Sequence, residues 1–395
     1  MRHRHVALLC VLAALAGAAG VLVAAERNGW LHGTRTVLVR APIVRDVSPT
    51  TVVVSKPVLA RGFAPERIFA ERSSGVVTVF AYYAATAAGP VIEQGSGFVV
   101  SRRGLVLTAA HVIASTSAEA TASVARTVYV QFADGDRIPA TIVGWDPYDD
   151  VGLLHVNPGL HALDPLPLGS SADLRVGQPV AAIGSPFGND TSLSVGVVSG
   201  TNRTIPSLAS GFNLFGAIQT DAPINEGSSG GPLLDAHGRV IGINAQIRSG
   251  LDSAFAGVGF AVPVDSVRRS LAQLLSLGRV PYAYLGLTSE SLTPAIAARF
   301  GYPSTYGAIV VSVAPGGPAA RAGLAAGAER VVFEGQPMTV GGDVILAIDG
   351  TRVQNSDELA GLVAQRMAPG QSAWLTVVHD GHVRRVRVVL GARPN

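Results

Sequence analysis

Thr220-Asp-Ala-Pro-Ile-Asn-Glu-Gly-Ser-Ser-Gly-Gly-Pro232 sets Ser229 among glycines in a tight turn between two apolar stretches. A hydroxyl at its ordinary pKa is a poor nucleophile and needs an adjacent base together with stabilisation of the developing oxyanion. Glycines permit the strained backbone on which successive N–H groups converge, which is what an oxyanion hole requires. Gly-Ser runs also make flexible surface loops, but Pro232-Leu-Leu234 returns at once to core-forming residues. Two further segments offer partners. Gly95-Ser-Gly-Phe-Val-Val100 and then Leu107-Thr-Ala-Ala-His111 deliver a histidine at the end of an apolar strand. Trp145-Asp-Pro-Tyr-Asp-Asp150-Val-Gly-Leu-Leu154 leads a carboxylate into a buried strand, where it can hold one imidazole tautomer. Asp150 is the candidate because it directly precedes that strand; Asp149 and Asp146 are rivals that spacing alone does not exclude.

Around these motifs run short β-type segments separated by Gly, Pro, Asn and Asp: Gly75 to Tyr83, Gly97 to Val100, Val128 to Phe132, Ala140 to Trp145, Val180 to Ile183, Val195 to Val198 and Val240 to Ala245. Regular short strands with turn residues between them predict a mainly β domain of two small barrels. The period changes at Val264 to Gly278. There Asp265 is the expected N-cap, Val267, Leu271, Leu274 and Leu275 share one face, and Gly278 is the stop. The last 110 or so residues mix strands (Ala308 to Val313, Val344 to Ile348, Ser372 to Val378, Val383 to Leu390) with helices near Thr293 to Phe300 and Asp357 to Met367. Ser356 is the expected N-cap of the second helix. The pattern predicts a compact α+β module, with Ala325 to Val340 as an extended loop.

The bulk numbers agree with a protein built on cores. Of 395 residues 48% are hydrophobic and 14% charged, against about 25% charged in an average soluble domain. With a net charge of +3 and Lys56 the only lysine, nothing argues for a nucleic-acid surface. Cys10 is the only cysteine, so there is neither a disulfide nor a thiolate site, and the nine histidines form no ligand pair at metal spacing. No metal or cofactor is expected. Val6 to Ala25 is almost wholly apolar behind Arg2 and Arg4. It is long enough for a membrane anchor and also compatible with a cleaved secretory signal. Either reading places the remainder outside the cytoplasm, because the basic end stays inside. Residues 26–64, with Pro42, Pro49 and Pro57, read as a linker.

The His, Asp, Ser order is that of chymotrypsin and not of subtilisins or α/β-hydrolases. The strings Gly95-Ser-Gly-Phe-Val-Val-Ser101, Leu107-Thr-Ala-Ala-His-Val112, Asp146-Pro-Tyr-Asp-Asp-Val-Gly-Leu-Leu154, Thr220 to Asp235 and Gly257-Val-Gly-Phe-Ala-Val-Pro263 fall in the order of the HtrA (Deg) serine proteases, which the chain resembles from about Phe63 to its end. The resemblance implies a trypsin-like protease domain over 65–278 and a PDZ domain over 281–395. It implies His111 as base, Asp150 as its orienter and Ser229 as nucleophile, with the Gly227, Ser228, Ser229 turn as oxyanion hole. Ser228 stands where the family usually has Asn, Gly152 where it usually has Ala, and Glu226 is atypical. The S1 pocket is expected from Pro223, Ile224, Ala245 and Ile247; none is acidic, so cleavage after small or medium apolar residues is expected, with loose selectivity. Tyr284-Leu285-Gly286-Leu287 resembles the PDZ carboxylate-binding loop, whose N–H groups hold a peptide C-terminus. Val313 to Leu324 and Gly341 to Gly350 support it. Expected partners are polypeptide substrates, peptide C-termini, the membrane through the N-terminal segment, and two further copies in a homotrimer. The roles that fit are an envelope protease acting on unfolded chains, a signalling protease with one membrane-linked substrate, or a chaperone-like scaffold with weak catalysis.

Overall fold

A computed structural model describes residues 62–85, 89, 91–115, 123–185, 191–210, 212–245 and 257–393. The apolar run Val6 to Ala25, the linker before Arg61 and Ile247 lie outside the described residues. Among those described, no helix is long and apolar enough to cross a membrane.

Helix α1 (Pro65–Arg72) precedes the first barrel. Its strands are β1 (Val76–Tyr82), β2 (Ile92–Ser101), β3 (Leu105–Ala109), β4 (Thr127–Gln131), β5 (Arg137–Asp146) and β6 (Val151–Val156), closed in the order β1-β2-β3-β6-β5-β4. The second barrel has β7 (Pro179–Gly184), β8 (Ser192–Pro206), β9 (Asn213–Thr220), β10 (Pro232–Leu234), β11 (Val240–Ala245) and β12 (Gly259–Pro263), closed in the order β8-β9-β12-β11-β10-β7. β-branched and small residues dominate these strands, and the central ones are buried on both faces: all six residues of β11 are inaccessible. One buried cluster spans both barrels. Phe98, Leu107 and Leu153 come from the first, Ile183, Leu234 and Ile243 from the second, and Val267 and Leu274 from the closing helix.

That helix, α2 (Val264–Leu277), ends at Gly278 with a left-handed φ of 69°, as expected. Its start differs from expectation. The N-cap position is Pro263, and the Asp265 carboxylate is turned away to accept from the Ser171 amide at 2.9 Å and hydroxyl at 2.7 Å. Leu275 also departs from the predicted face and is exposed, while Val264, Val267 and Leu274 carry the packing.

The C-terminal domain has a sheet ordered β13-β14-β17-β18-β19, made of β13 (Leu287–Ser291), β14 (Ala308–Val313), β17 (Val344–Ile348), β18 (Ser372–His379) and β19 (His382–Val389). Helices α3 (Pro294–Phe300) and α4 (Ser356–Arg366) complete it. The stretch expected as an extended loop is instead a hairpin, β15 (Glu329–Phe333) with β16 (Gln336–Val340). Its two-residue turn places Glu334 at φ 51° and Gly335 at φ 77°, both left-handed as a type I′ turn demands. The cap of α4 is Asn355, whose side chain accepts the Glu358 amide at 2.8 Å; the Ser356 hydroxyl pairs with that of Ser291.

Asn355→Ala removes a side-chain cap worth about 0.5–2 kcal/mol. Hydrogen exchange of the first-turn amides of α4 is expected to quicken several-fold, with Glu358 most affected. Ser356→Ala should leave those amides nearly unchanged.

Candidate active site

The pairing of β3 with β6 sets Ala109 opposite Val151. The residues just beyond that pair, two after the end of β3 and one before the start of β6, are therefore neighbours. They are His111, in the turn Ala110–Ile113, and Asp150. The Asp150 Oδ2 lies 2.7 Å from His111 Nδ1, and its Oδ1 accepts the His111 backbone N–H at 2.9 Å. The Ala110 amide donates to the Asp150 carbonyl at 3.2 Å. Asp150 is buried, with a left-handed φ of 54°, unusual for a residue with a side chain. Gly152 belongs to this junction: a Cβ there would fall 2.8 Å from Ile113 Cδ1 and 2.9 Å from Thr108 Cγ2, so the alanine usual in the family would have to displace both side chains.

The rival acids are bonded elsewhere. Asp149 is bound to the Arg269 guanidinium on α2. Asp146 accepts from Ser270 Oγ at 2.6 Å, from Tyr282 Oη at 2.7 Å and from the Tyr148 and Asp149 amides at 3.0 and 3.2 Å. Burial, reinforced by the nearby Asp149 charge, pushes the Asp146 carboxyl up to about 7 against the hydroxyl bonds that lower it. Burial likewise raises Asp149, opposed by Arg269.

Ser229 comes from the second barrel. Its carbonyl accepts the Ser96 N–H at 2.7 Å, which ties its turn to β2 of the first barrel. The Ser96 hydroxyl donates to the Gly227 carbonyl at 2.6 Å and accepts the Ser185 amide at 2.9 Å. Gly230 follows at φ 87°; a Cβ there would sit 2.2 Å from the Ser96 carbonyl oxygen and 2.5 Å from Thr108 Oγ1, so no other residue fits. Asn244 braces the same turn, accepting the Gly230 amide at 2.9 Å and donating its own to the Gly231 carbonyl at 2.8 Å. The Ser228 amide is used within the turn, donating to the Asn225 carbonyl at 2.9 Å. Glu226 is exposed, so its carboxylate stands in water beside the turn and is screened there.

The expected S1 residues are only partly assembled. A cavity beside Ser228 is walled by Ile183, Ser192, Ser194, Pro223, Asn225 and Asn244, with no charged residue. Ile224 does not line it; its side chain is buried in the second barrel with Ala182 and Leu233. Ala245 is buried in the cluster that joins the barrels. Asn244 was missing from the sequence reading, because its role depends on β11 lying under the Ser229 turn. In the C-terminal domain, Tyr284-Leu-Gly-Leu287 turns at Gly286, φ 76°, directly before β13, which lies at the sheet edge opposite β19. Among the described residues, no group of His, Cys, Asp and Glu could hold a metal ion.

An acid held protonated by burial leaves a signature in stability. In the unfolded chain Asp146 loses its proton near pH 4; in the folded chain it keeps it up to about 7. The folded state thus binds more protons in between, so this group's contribution to stability is present in acid and lost as pH rises from about 4 to about 7. Asparagine cannot titrate. The Tm of Asp146→Asn relative to the unsubstituted protein is expected to rise between pH 5 and pH 8; a difference that stays flat across that range would mean that the group titrates alike in both states.

Residues 95–243 match the trypsin-like peptidase domain family, and residues 283–390 match the PDZ domain family. The chain is 36% identical to Protease Do-like 1, chloroplastic, of Arabidopsis thaliana, over 90% of this chain and 78% of that protein. It is 34% identical to the serine protease PepD of Mycobacterium tuberculosis, over 95% and 77%. It is 39% identical to a protein of Halomonas elongata named probable periplasmic serine endoprotease DegP-like, over 76% of this chain but 57% of that longer relative. The solved structure of the HtrA-type protease AlgW with a tripeptide superposes with a TM-score of 0.68 at 31% identity, covering 84% of this chain and 98% of that one. Two barrels meeting at a His–Asp pair and a glycine-bound serine, followed by one PDZ domain, are thus the features of a lineage, and the chain belongs to the HtrA/Deg family of serine proteases.

Proposed function

We propose that the chain is a serine endopeptidase that acts outside the cytoplasm on unfolded or exposed polypeptides, with Ser229, His111 and Asp150 as its triad. The observation that carries this is the double hold of Asp150 on His111, by Oδ2 on Nδ1 at 2.7 Å and by Oδ1 on the backbone N–H at 2.9 Å. A proton on Nδ1 leaves Nε2 as the base that takes the Ser229 hydroxyl proton when the oxygen attacks a peptide carbonyl. His111 then passes that proton to the leaving amine, with Asp150 stabilising the imidazolium in between. The oxyanion falls to the Gly227 and Ser229 amides, since the Ser228 amide serves the turn. Uncharged cavity walls beside Ser228 support cleavage after small or medium uncharged residues.

The PDZ domain is assigned to peptide C-termini, held by the Tyr284–Leu287 loop and added as a strand beside β13. Solved structures of the HtrA-type protease AlgW carry a tripeptide or a decapeptide, which supports peptides as ligands. A regulatory role is favoured by one contact: the end of α4 reaches the protease domain, where Gln365 Nε2 donates to the Phe215 carbonyl at 2.9 Å and Arg269 donates to the Gln365 carbonyl at 3.1 Å. An extracytoplasmic place is supported by the apolar N-terminal run and by the naming of DegP-like relatives as periplasmic. Assembly as a trimer, anchored through the N-terminal segment, follows from the family resemblance.

The full chain is expected to degrade an unfolded protein such as casein, and Ser229→Ala to leave it intact; equal, negligible cleavage by both would sink the protease reading in favour of a scaffold. Asp150→Asn should lower kcat on the order of 10⁴-fold, by analogy with chymotrypsin-type enzymes, while Asp149→Asn should cost far less. Peptides with apolar C-termini should raise turnover several-fold if the α4 contact transmits binding; unchanged turnover would leave the PDZ domain a tether.

A further inference from the structure

The acid turn between β5 and β6 is held from more directions than a turn of four residues needs. Asp146 ends β5, Val151 begins β6, and Asp150 between them has the left-handed φ of 54° that aims its carboxylate at His111. A buried left-handed residue with a side chain is held there by its surroundings. Here the hold is visible. One oxygen of Asp146 accepts the Tyr148 and Asp149 amides, which fixes the turn from inside. The other accepts the hydroxyls of Ser270, on α2, and Tyr282, in the joint that leads from α2 into the PDZ domain. Ser207 donates to the Pro147 carbonyl at 2.8 Å from the second barrel. Arg269 holds Asp149 and, with its other terminal nitrogen, the carbonyl of Gln365 on α4.

Tyr282 is placed to report on the joint. It is buried, its ring meets Tyr148 edge-on at 4.7 Å, and its carbonyl accepts the Arg393 amide at 2.9 Å from the end of the PDZ domain. The Arg393 guanidinium in turn lies 4.5 Å from the Tyr148 ring centre and 3.9 Å from that of Phe212. A shift of the joint cannot leave the Tyr282 hydroxyl on Asp146 unless Asp146 moves with it. An isolated hydroxyl bond is a modest tether. This one ends on a buried carboxyl bonded by hydroxyls and amides, with the nearby Arg269 bonded to Asp149 instead, so losing it strips a hydroxyl donor from an oxygen that has no access to water.

We propose that Asp146 is a positioning residue for the Asp150 carboxylate, and that Tyr282, through its hydroxyl bond to Asp146, makes this positioning depend on the joint between the protease and PDZ domains. The inference rests on the reading of Ser229, His111 and Asp150 as a triad. It assigns to the acid turn a role distinct from substrate binding: the Tyr282 hydroxyl bonds Asp146 and sits beside Asp149 and Arg269, and its effect on Asp150 runs through this turn.

The test compares the full chain with Tyr282→Phe, which keeps the ring and removes the hydroxyl, and with Asp146→Asn. Val377→Ala, in the PDZ core, serves as a variant that lowers stability without touching the turn. Three readouts are taken: kcat and KM on a chromogenic peptide, the pH profile of kcat/KM, and the downfield proton resonance of His111 Nδ1–H, which reports the bond to Asp150 directly. Tyr282→Phe is expected to lower kcat about tenfold with KM unchanged, the scale of leaving one buried acceptor a hydrogen bond short. It should also move the acid limb of the profile and shift or broaden the His111 resonance. Asp146→Asn should do the same more strongly, and Val377→Ala should alter none of the three. Unchanged kcat, acid limb and resonance in Tyr282→Phe would overturn the proposal, as would an equal response in Val377→Ala. If a fluorophosphonate fails to label Ser229 in the unsubstituted chain while Tyr282→Phe still shifts the His111 resonance, the protease reading falls and the positioning of Asp150 by Tyr282 stands.

Discussion

The bond from the Ser96 amide to the Ser229 carbonyl, 2.7 Å long and wholly buried, is where one barrel is locked to the other. Ser96 is a single residue of β2, yet its amide and hydroxyl reach the Ser229, Gly227 and Ser185 backbones together. Each such bond contributes about 0.5–1.5 kcal/mol net, while leaving its buried groups unpaired costs about 1–3 kcal/mol. The β1–β2 register that sets Gly97 opposite Val77 therefore cannot slip without exposing the whole set to that penalty. Gly230, pressed against the Ser96 carbonyl, removes the remaining freedom. The segments Gly95-Ser-Gly97 and Gly227 to Gly231, far apart in sequence, are two halves of one lock. The position of Ser229 relative to His111 follows from it, because β2 also pairs with β3, the strand that leads into the turn holding the histidine.

The sequence made much of this legible, for reasons that also explain its failures. Strands alternate or run apolar, so most were recognisable, and the order of the three motifs pointed to paired barrels. Asp150 was separable from Asp149 only weakly, because the choice depends on a partner 120 residues away, Arg269, and on a backbone angle that no pattern encodes. Asp265 and Ser356 had the right chemistry for N-caps but were drawn into other bonds, by Ser171 and Ser291, which only the tertiary fold brings near. Ile224 lies just upstream of the serine in sequence, yet its burial with Ala182 and Leu233 depends on the closure of the second barrel, which no local pattern encodes. The hairpin over 329–340 carries its own local signal. Phe333-Glu-Gly-Gln336 lies between two β-branched runs, and Glu-Gly can supply the two left-handed residues of a type I′ turn.

The acid turn joins these themes. Asp146, Asp149 and Asp150 fall within five residues, and all three are buried. Such a cluster is tolerable only if each carboxylate is met by donors. Asp150 has His111, Asp149 has Arg269, and Asp146 has two hydroxyls and two amides. The distribution matters for the proposed chemistry. His111 must be neutral to accept the serine proton and then carry a positive charge as the bond to the carbonyl forms. A negative surrounding favours that charge, but two uncompensated acids beside Asp150 would also favour it at rest and disarm the base. Arg269 cancels one of the two. The hydroxyls of Ser270 and Tyr282 hold the other in place without adding charge, and burial lets its carboxyl keep a proton up to about 7. Asp146 is therefore the acid whose direct bonds are all to hydroxyls and amides, with Arg269 bonded to its neighbour. It is also the one bonded to the joint between the domains, so geometry and charge at Asp150 are governed by the same few atoms.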